Sequence, residues 1–193
     1  MEIAVIGTGY IGGILGRALA GAGHRVTFGS RHPDNDAVAQ RTPATAGSVA
    51  DALARADVVV LALPGAAVAG LTAEHGDALD GKLVIDATNQ MGQPVANSRA
   101  ALPSNVRYAR AFNTLGGENM ADPIFADGPA DMFFSAPEGD RATVEAVIEG
   151  VGLRPEYLGE DQEILVDALF KIWIALAVEQ GHGRRLALRL IDH

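Results

Sequence analysis

The chain contains no cysteine. That excludes disulfides, thiolate metal sites and a cysteine nucleophile, and it suits a reducing cytoplasm, where we expect the protein to reside. Basic residues are also scarce: 15 Lys and Arg stand against 24 Asp and Glu, a formal net charge of -9. No broad cationic surface is available for nucleic acid or anionic lipid, so any bound phosphate must be gripped locally. Apolar runs are short. The longest, Ile164 to Val178, is interrupted by Asp167 and Lys171 and falls below the roughly 20 residues that cross a bilayer, so it reads as a buried helix rather than a membrane insertion. The start, Met1-Glu2-Ile3-Ala4-Val5, has no basic n-region and reads as a strand, not a signal peptide. Also missing are a Ser/His/Asp set, a His-Glu-x-x-His motif and paired carboxylates at catalytic spacing. The five histidines, His24, His32, His75, His182 and His193, are scattered, and no metal site is expected. All read as surface residues except His32, which its neighbours single out below.

What is present is a regular alternation. Of 193 residues 48% are hydrophobic, enough for one substantial core. A strand at Ile3 to Ile6 leads to a helix ending near Ala22, a second strand at Arg25 to Phe28, and a Pro/Asn/Asp-rich turn with a helix around Asp36 to Arg41. Ser48 reads as the N-cap of a short helix through Ala56. The apolar runs Val58 to Leu63 and Leu83 to Asp86 have the pattern of strands covered on both faces. Val106 to Phe112 gives a further strand, so five or six are in place by that point. Strands at Asp131 to Ser135 and Arg154 to Leu158, around a helix at Asp140 to Glu149, extend the sheet. A long helix starts near Asp161 and is apolar around most of its girth; Gly181 to His193 reads as a short basic amphipathic helix.

The first strand runs directly into Gly7-Thr8-Gly9-Tyr10-Ile11-Gly12 and then into helix. Glycine clusters also build ordinary turns, but strand, Gly-x-Gly-x-x-Gly, helix and second strand in that order is the fingerprint of a dinucleotide site. Gly7 permits the tight turn, Gly9 lets the backbone approach a pyrophosphate, and Gly12 lets the helix pack closely. The helix N-terminus supplies free N–H groups to the phosphates. The rhythm and fingerprint together predict an α/β fold: a doubly wound, mostly parallel Rossmann-like sheet with a C-terminal helical segment. We divide it as residues 1–160, the nucleotide-binding domain, and 161–193, a helical segment packed on that domain or on a dimer partner.

An NAD site typically has a carboxylate at the end of the second strand, about 20 residues past the glycines, to hold the ribose 2′-hydroxyl. Here Phe28-Gly29-Ser30-Arg31-His32 occupies that place. Ser30 can donate to a 2′-phosphate, Arg31 can pair with it or stack on adenine, and His32 lies close by, so the reading is NADP over NAD. A solvated arginine after a strand is the plain alternative. Ligands of doubly wound sheets sit beyond the carboxyl ends of the strands, which adds Leu63 and Pro64, then Thr88 and Asn89, then Asn113, to the cofactor-binding candidates. Pro64 also serves as a strand terminator, and Asn89 either contacts ribose or nicotinamide or caps its own turn. Gly116 and Gly117 either leave room for a flat second substrate, in an open slot with Asn113, or form a flexible turn.

The segments Ile6 to Gly12, Gly29-Ser30-Arg31, Val84 to Asn89, Ala111 to Met120 and Leu169 to Trp173 resemble the NADPH-dependent oxidoreductases grouped with the F420-dependent NADP reductases. The likeness covers nearly the whole chain. It implies NADP held by the glycine turn and the Ser-Arg pair, with hydride exchange to a deazaflavin stacked near the nicotinamide. Asn113 stands where characterised deazaflavin reductases carry a histidine, and in this it is similar to the cytosolic domains of membrane ferric reductases.

Hydride transfer between stacked rings needs positioning and little else, so no catalytic residue is assigned. The expected activity is NADPH-dependent hydride transfer to a small planar redox acceptor, deazaflavin coenzyme F420 or else a flavin. Two alternatives remain. One is a small relative of the β-hydroxyacid dehydrogenases and imine reductases using Lys171 as its proton-transfer group, although Ala175 stands where those enzymes have an asparagine. The other is a non-enzymatic NADPH-binding sensor. The apolar C-terminal helix also suggests a homodimer.

Overall fold

A computed structural model describes residues 1–33, 42–89 and 97–191. Its first unit is β1 (Glu2–Ile6), α1 (Tyr10–Gly21) and β2 (Arg25–Gly29), followed by a short β3 (Thr45–Gly47) and α2 (Val49–Arg55). The second is β4 (Val58–Leu61), α3 (Val68–Leu79), β5 (Leu83–Asp86) and β6 (Arg107–Arg110). These strands form one parallel sheet in the order β3-β2-β1-β4-β5-β6, the doubly wound order in which the chain reverses direction between β1 and β4.

The two-residue period of a strand divides the core. Ile3, Val5, Val58, Val60, Leu83 and Ile85 point to one face, where they meet Leu15 and Leu19 of α1. Ala4, Ile6, Val59, Leu61 and Val84 point to the other, against Leu53 of α2 and Val68 and Leu79 of α3. Both faces are covered, which is why these strands read as unbroken apolar runs. The Ser48 cap is present: its Oγ accepts from the Asp51 N–H at 3.1 Å.

Beyond β6 come α4 (Gly117–Ala121), a small hairpin of β7 (Ile124–Phe125) and β8 (Gly128–Pro129), β9 (Asp131–Phe134), α5 (Arg141–Gly150) and β10 (Arg154–Tyr157). β9 and β10 pair in parallel. They form a separate two-stranded sheet rather than the expected extension of the main one, and a single antiparallel bridge between Arg110 and Ser135 links them to β6. α6 (Glu163–Ile174) follows and runs into one π turn, Ala175–Glu179.

Several sequence expectations need correction. Gly181 to His193 is not a helix: over the described residues 181–191 the chain is an irregular tail. Gly181 and Gly183 adopt φ of 75° and 84°, a conformation that breaks the helix, and the tail arginines spend their donors on the body of the protein instead. Trp173 Nε1 donates to Leu186 O at 2.8 Å, and Asn119 Nδ2 donates to Arg184 O and Leu186 O at 2.9 and 2.8 Å. The strand at 58 ends at Leu61 rather than Leu63, because Ala62 turns to meet the first glycine loop. α3, α4 and β3 have no counterpart in the sequence reading. The helix expected around Asp36 to Arg41 lies outside the described residues.

Candidate functional site

The sheet topology brings the ends of β1, β2, β4, β5 and β6 to one edge. At β1 the three glycines do different things. Gly7 has φ of +110°, and a Cβ there would stand 2.4 Å from Ala62 O, on the loop after β4. A Cβ at Gly12 would stand 1.9 Å from Gly7 O. Gly9 is the reverse, with nothing within 4 Å of its would-be Cβ. Two glycines therefore close the turn, and the middle one keeps open space beside the backbone, as a pyrophosphate cradle requires. Gly9 is also the N-cap of α1; no side chain caps that helix, and its first turn carries no acidic residue. The partial positive charge of a 12-residue helix is thus left for an anion. Thr8 is half-buried in the loop, Tyr10 is exposed, and Ile11 is half-buried.

β2 ends in Gly29, with no carboxylate at its tip. Ser30 N–H donates to Gly47 O at 3.0 Å, and Ser30 Oγ accepts from the His32 N–H at 3.1 Å. The hydroxyl proton of Ser30 remains available to donate. Arg31 and His32 are exposed. Across the switch point, Leu63 is half-buried against the core while Pro64 is exposed at the head of a short 3-10 turn, Gly65–Ala67.

Beyond β5 and β6 the interior is charged. Asp86 is fully buried and accepts from Thr88 N–H (2.8 Å), Ser98 N–H (2.8 Å) and Tyr108 OH (2.7 Å). Arg110 is likewise fully buried and lies 3.3 Å from Asp86 and 2.8 Å from Asp167 of α6. Burial, with Asp86 beside it, pushes the Tyr108 hydroxyl far above its ordinary range, so it serves as a neutral donor. Thr88 is buried with its hydroxyl turned to Ser98, 2.9 Å away; what it offers its neighbours is its carbonyl, which accepts from Arg110 and Asn113. Asn89 is half-buried at the rim. Asn113 is fully buried, its Nδ2 donating to Thr88 O and Asn89 Oδ1, and its Oδ1 has no partner among the described residues.

The backbone ahead of Asn113 is strained. Phe112 has φ of 68°, a left-handed conformation that costs a bulky residue about 1–3 kcal/mol and is met most often at functional sites. Composition gives no hint of it. The buried charges did leave a signal: Asp86 ends an apolar strand, Arg110 stands between Ala109 and Ala111, and Asp167 interrupts the most apolar helix.

The expected open slot at Asn113, Gly116 and Gly117 is not formed, since all three are buried. A Cβ at Gly117 would stand 2.5 Å from the Tyr10 ring, and one at Gly116 would stand 3.0 Å from the Trp173 ring. These glycines permit close packing of α4 on α1 and α6 rather than leaving room for a second substrate. Lys171 is exposed, while Asp167, Phe170 and Trp173 form the buried face of α6. A cavity of about 360 Å³ lined by Arg99, Leu102, Pro103, Ser104, Val106 and Tyr108, among others, involves the segment leading into β6 and not the carboxyl-end crevice.

Comparison with known proteins agrees with this geometry. Residues 2–90 match the model of a family described as NADP oxidoreductase, coenzyme F420-dependent. A candidate F420-dependent NADP reductase from Arthrobacter sp. FB24 superposes with a TM-score of 0.81 at 27% identity, over 100% of both chains. A hypothetical protein of Sinorhizobium meliloti, SMa0349, superposes with a TM-score of 0.72 at 26% identity, over 100% of this chain and 96% of its own. The imine reductase of Streptomyces aurantiacus, at 21% identity over 94% of this chain and 68% of its own, has a TM-score of 0.72 and shares the fold.

Proposed function

Taking the chain as an NADP-dependent oxidoreductase, the class indicated by its residues 2–90 and its relatives, we propose that it transfers hydride between NADPH and a planar acceptor of the deazaflavin type, with a flavin as second choice. The observation that carries the cofactor half is the tip of β2: an exposed Arg31 beside Ser30, with no carboxylate, next to an uncapped helix N-terminus. In this reading the N–H groups from Gly9 to Gly12 take the pyrophosphate, and Ser30 and Arg31 take the 2′-phosphate, with His32 beside them. Thr8, Tyr10, Ile11, Leu63 and Pro64 wall the dinucleotide, and Asn89 borders its nicotinamide half. The residues present suit the group: Gly9 leaves open space where a pyrophosphate would lie, and Arg31 is exposed with Ser30 half-buried beside it at the tip of β2.

When bound, NADPH supplies the hydride. The chain's own part is to orient the ring and to fix the acceptor against it, a task of positioning that requires no acid-base pair. The match to the F420-dependent family supports a deazaflavin acceptor. Against a lysine mechanism stands the exposed position of Lys171.

The protein acts in this proposal as a cytoplasmic homodimer. Ile164, Leu165 and Ile172 expose an apolar stripe on α6, with relative exposures of 74%, 45% and 48%, and a stripe of that kind marks an association surface. The deciding experiment follows NADPH oxidation by absorbance with coenzyme F420, FMN, ferric chelate or no acceptor. Turnover with F420 is expected. Tight NADPH binding with no turnover on any acceptor would favour a sensor, and NADPH oxidation only when an oxo acid or an imine is supplied as acceptor would favour the lysine mechanism.

A further inference from the structure

The buried charges beyond β5 and β6 have no part in the reading above, yet they touch the crevice at one residue. Arg110 donates through Nε and Nη2 to Asp167 at 3.0 and 2.8 Å, and through Nη1 to Thr88 O at 2.6 Å. Its Nη2 also reaches Asn89 Oδ1 at 3.4 Å, and Asn113 Nδ2 donates to that same oxygen at 3.2 Å. Two donors therefore converge on one oxygen of Asn89. Turned the other way, the amide would set its own N–H groups against both of them, so only one orientation is compatible with the cluster. The Asn89 Nδ2 then faces away from Arg110, and its one hydrogen bond among the described residues is a long one to Asn113 O at 3.4 Å. One N–H of Asn89 has no partner among the described residues. Of the three residues Asn89 alone has exposed surface; Arg110 and Asn113 have none.

A buried ion pair repays its desolvation poorly as a source of stability. What Arg110 and Asp167 supply here is orientation. We propose that they are positioning residues: Asp167 holds Arg110, Arg110 and Asn113 set the Asn89 amide, and Asn89 presents its spare N–H to an acceptor oxygen on the nicotinamide riboside half of the dinucleotide. This rests on the NADP reading above and assigns that half of the cofactor a donor controlled from the C-terminal helix.

The test titrates the full-length protein with NADP⁺ and with 2′,5′-ADP, which carries the adenosine half and its 2′-phosphate but no nicotinamide. Asn89→Ala, Asp167→Asn and Arg110→Lys should each weaken NADP⁺ about tenfold, the worth of one hydrogen bond, and leave 2′,5′-ADP unchanged. Residues that act through Asn89 must not add to its loss: the double variant Asn89→Ala/Asp167→Asn should bind NADP⁺ no more weakly than Asn89→Ala. Additive losses, equal weakening of 2′,5′-ADP, or wild-type NADP⁺ affinity in Asp167→Asn would overturn the proposal. Should Arg110→Lys fail to fold, the near-isosteric Asp167→Asn still decides. A wild-type protein that ignores 2′,5′-ADP would sink the NADP reading itself, and the inference with it.

Discussion

An alanine at Gly9 and an alanine at Gly12 should have opposite consequences. At Gly9 the new methyl meets nothing within 4 Å, and φ of -74° suits any residue, so unfolding stability should change by less than about 0.5 kcal/mol. Because the methyl would occupy the space assigned to the pyrophosphate, NADPH affinity should nevertheless fall by at least about tenfold. At Gly12 the methyl would lie 1.9 Å from Gly7 O, and the forced backbone shift should cost about 1–3 kcal/mol in urea denaturation. Stability losses of equal size would mean that the loop is not built as described. Arg31→Ala should weaken NADPH by about 2 kcal/mol, as expected for a charge-assisted phosphate contact, and leave NADH unaffected; equal losses in parallel titrations would show that Arg31 does not read the phosphate. At this scale the sequence showed the glycines clearly, since each steric demand falls on a fixed place in a local motif. It did not show the Asp86, Arg110 and Asp167 cluster, because that cluster joins residues far apart in the chain, and nothing local marks which charge meets which.

Among the elements, the tail is tied down by charge. Arg184 Nε donates to Glu118 Oε1 at 2.8 Å, and Arg185 is bonded to Asp122. Held by Arg184, the Glu118 carboxyl lies below its ordinary value of 4.5. A carboxylate with a depressed folded value stabilises fully above its unfolded value and loses that contribution as pH falls through the folded one. The melting temperatures of wild type and Glu118→Gln should therefore differ in neutral buffer and converge as pH drops below 4.5. A constant gap across that range would contradict the tether, and because Glu118 is partly exposed the effect should be small. The misread tail has the same physical basis: its spacing is amphipathic, but Gly181 and Gly183 terminate the helix, and α4 offers its arginines better partners than solvent. Ser48, by contrast, was legible because a cap is a local hydrogen bond between residues three apart.

For the whole molecule, the alternation of apolar runs and turns was enough to identify the doubly wound sheet, since strands covered on both faces have a continuous apolar signature. α3 escaped the reading. Ala and Gly make up five of its 12 residues, and a non-helical His75 (φ -132°) sits within it, which blurs its periodicity. The apolar stripe on α6 makes a prediction at this scale: light scattering should report a dimer at micromolar concentration, and Ile164→Glu/Ile172→Glu should yield a folded monomer. A monomeric wild type would remove the dimer from the account. The central claim, a crevice built for NADPH, is tested most directly by titrating the wild-type protein with NADPH and NADH under identical conditions. The account predicts NADPH bound more tightly by at least about tenfold, the difference that a 2′-phosphate paired with Arg31 provides; equal affinity, or a preference for NADH, would contradict it.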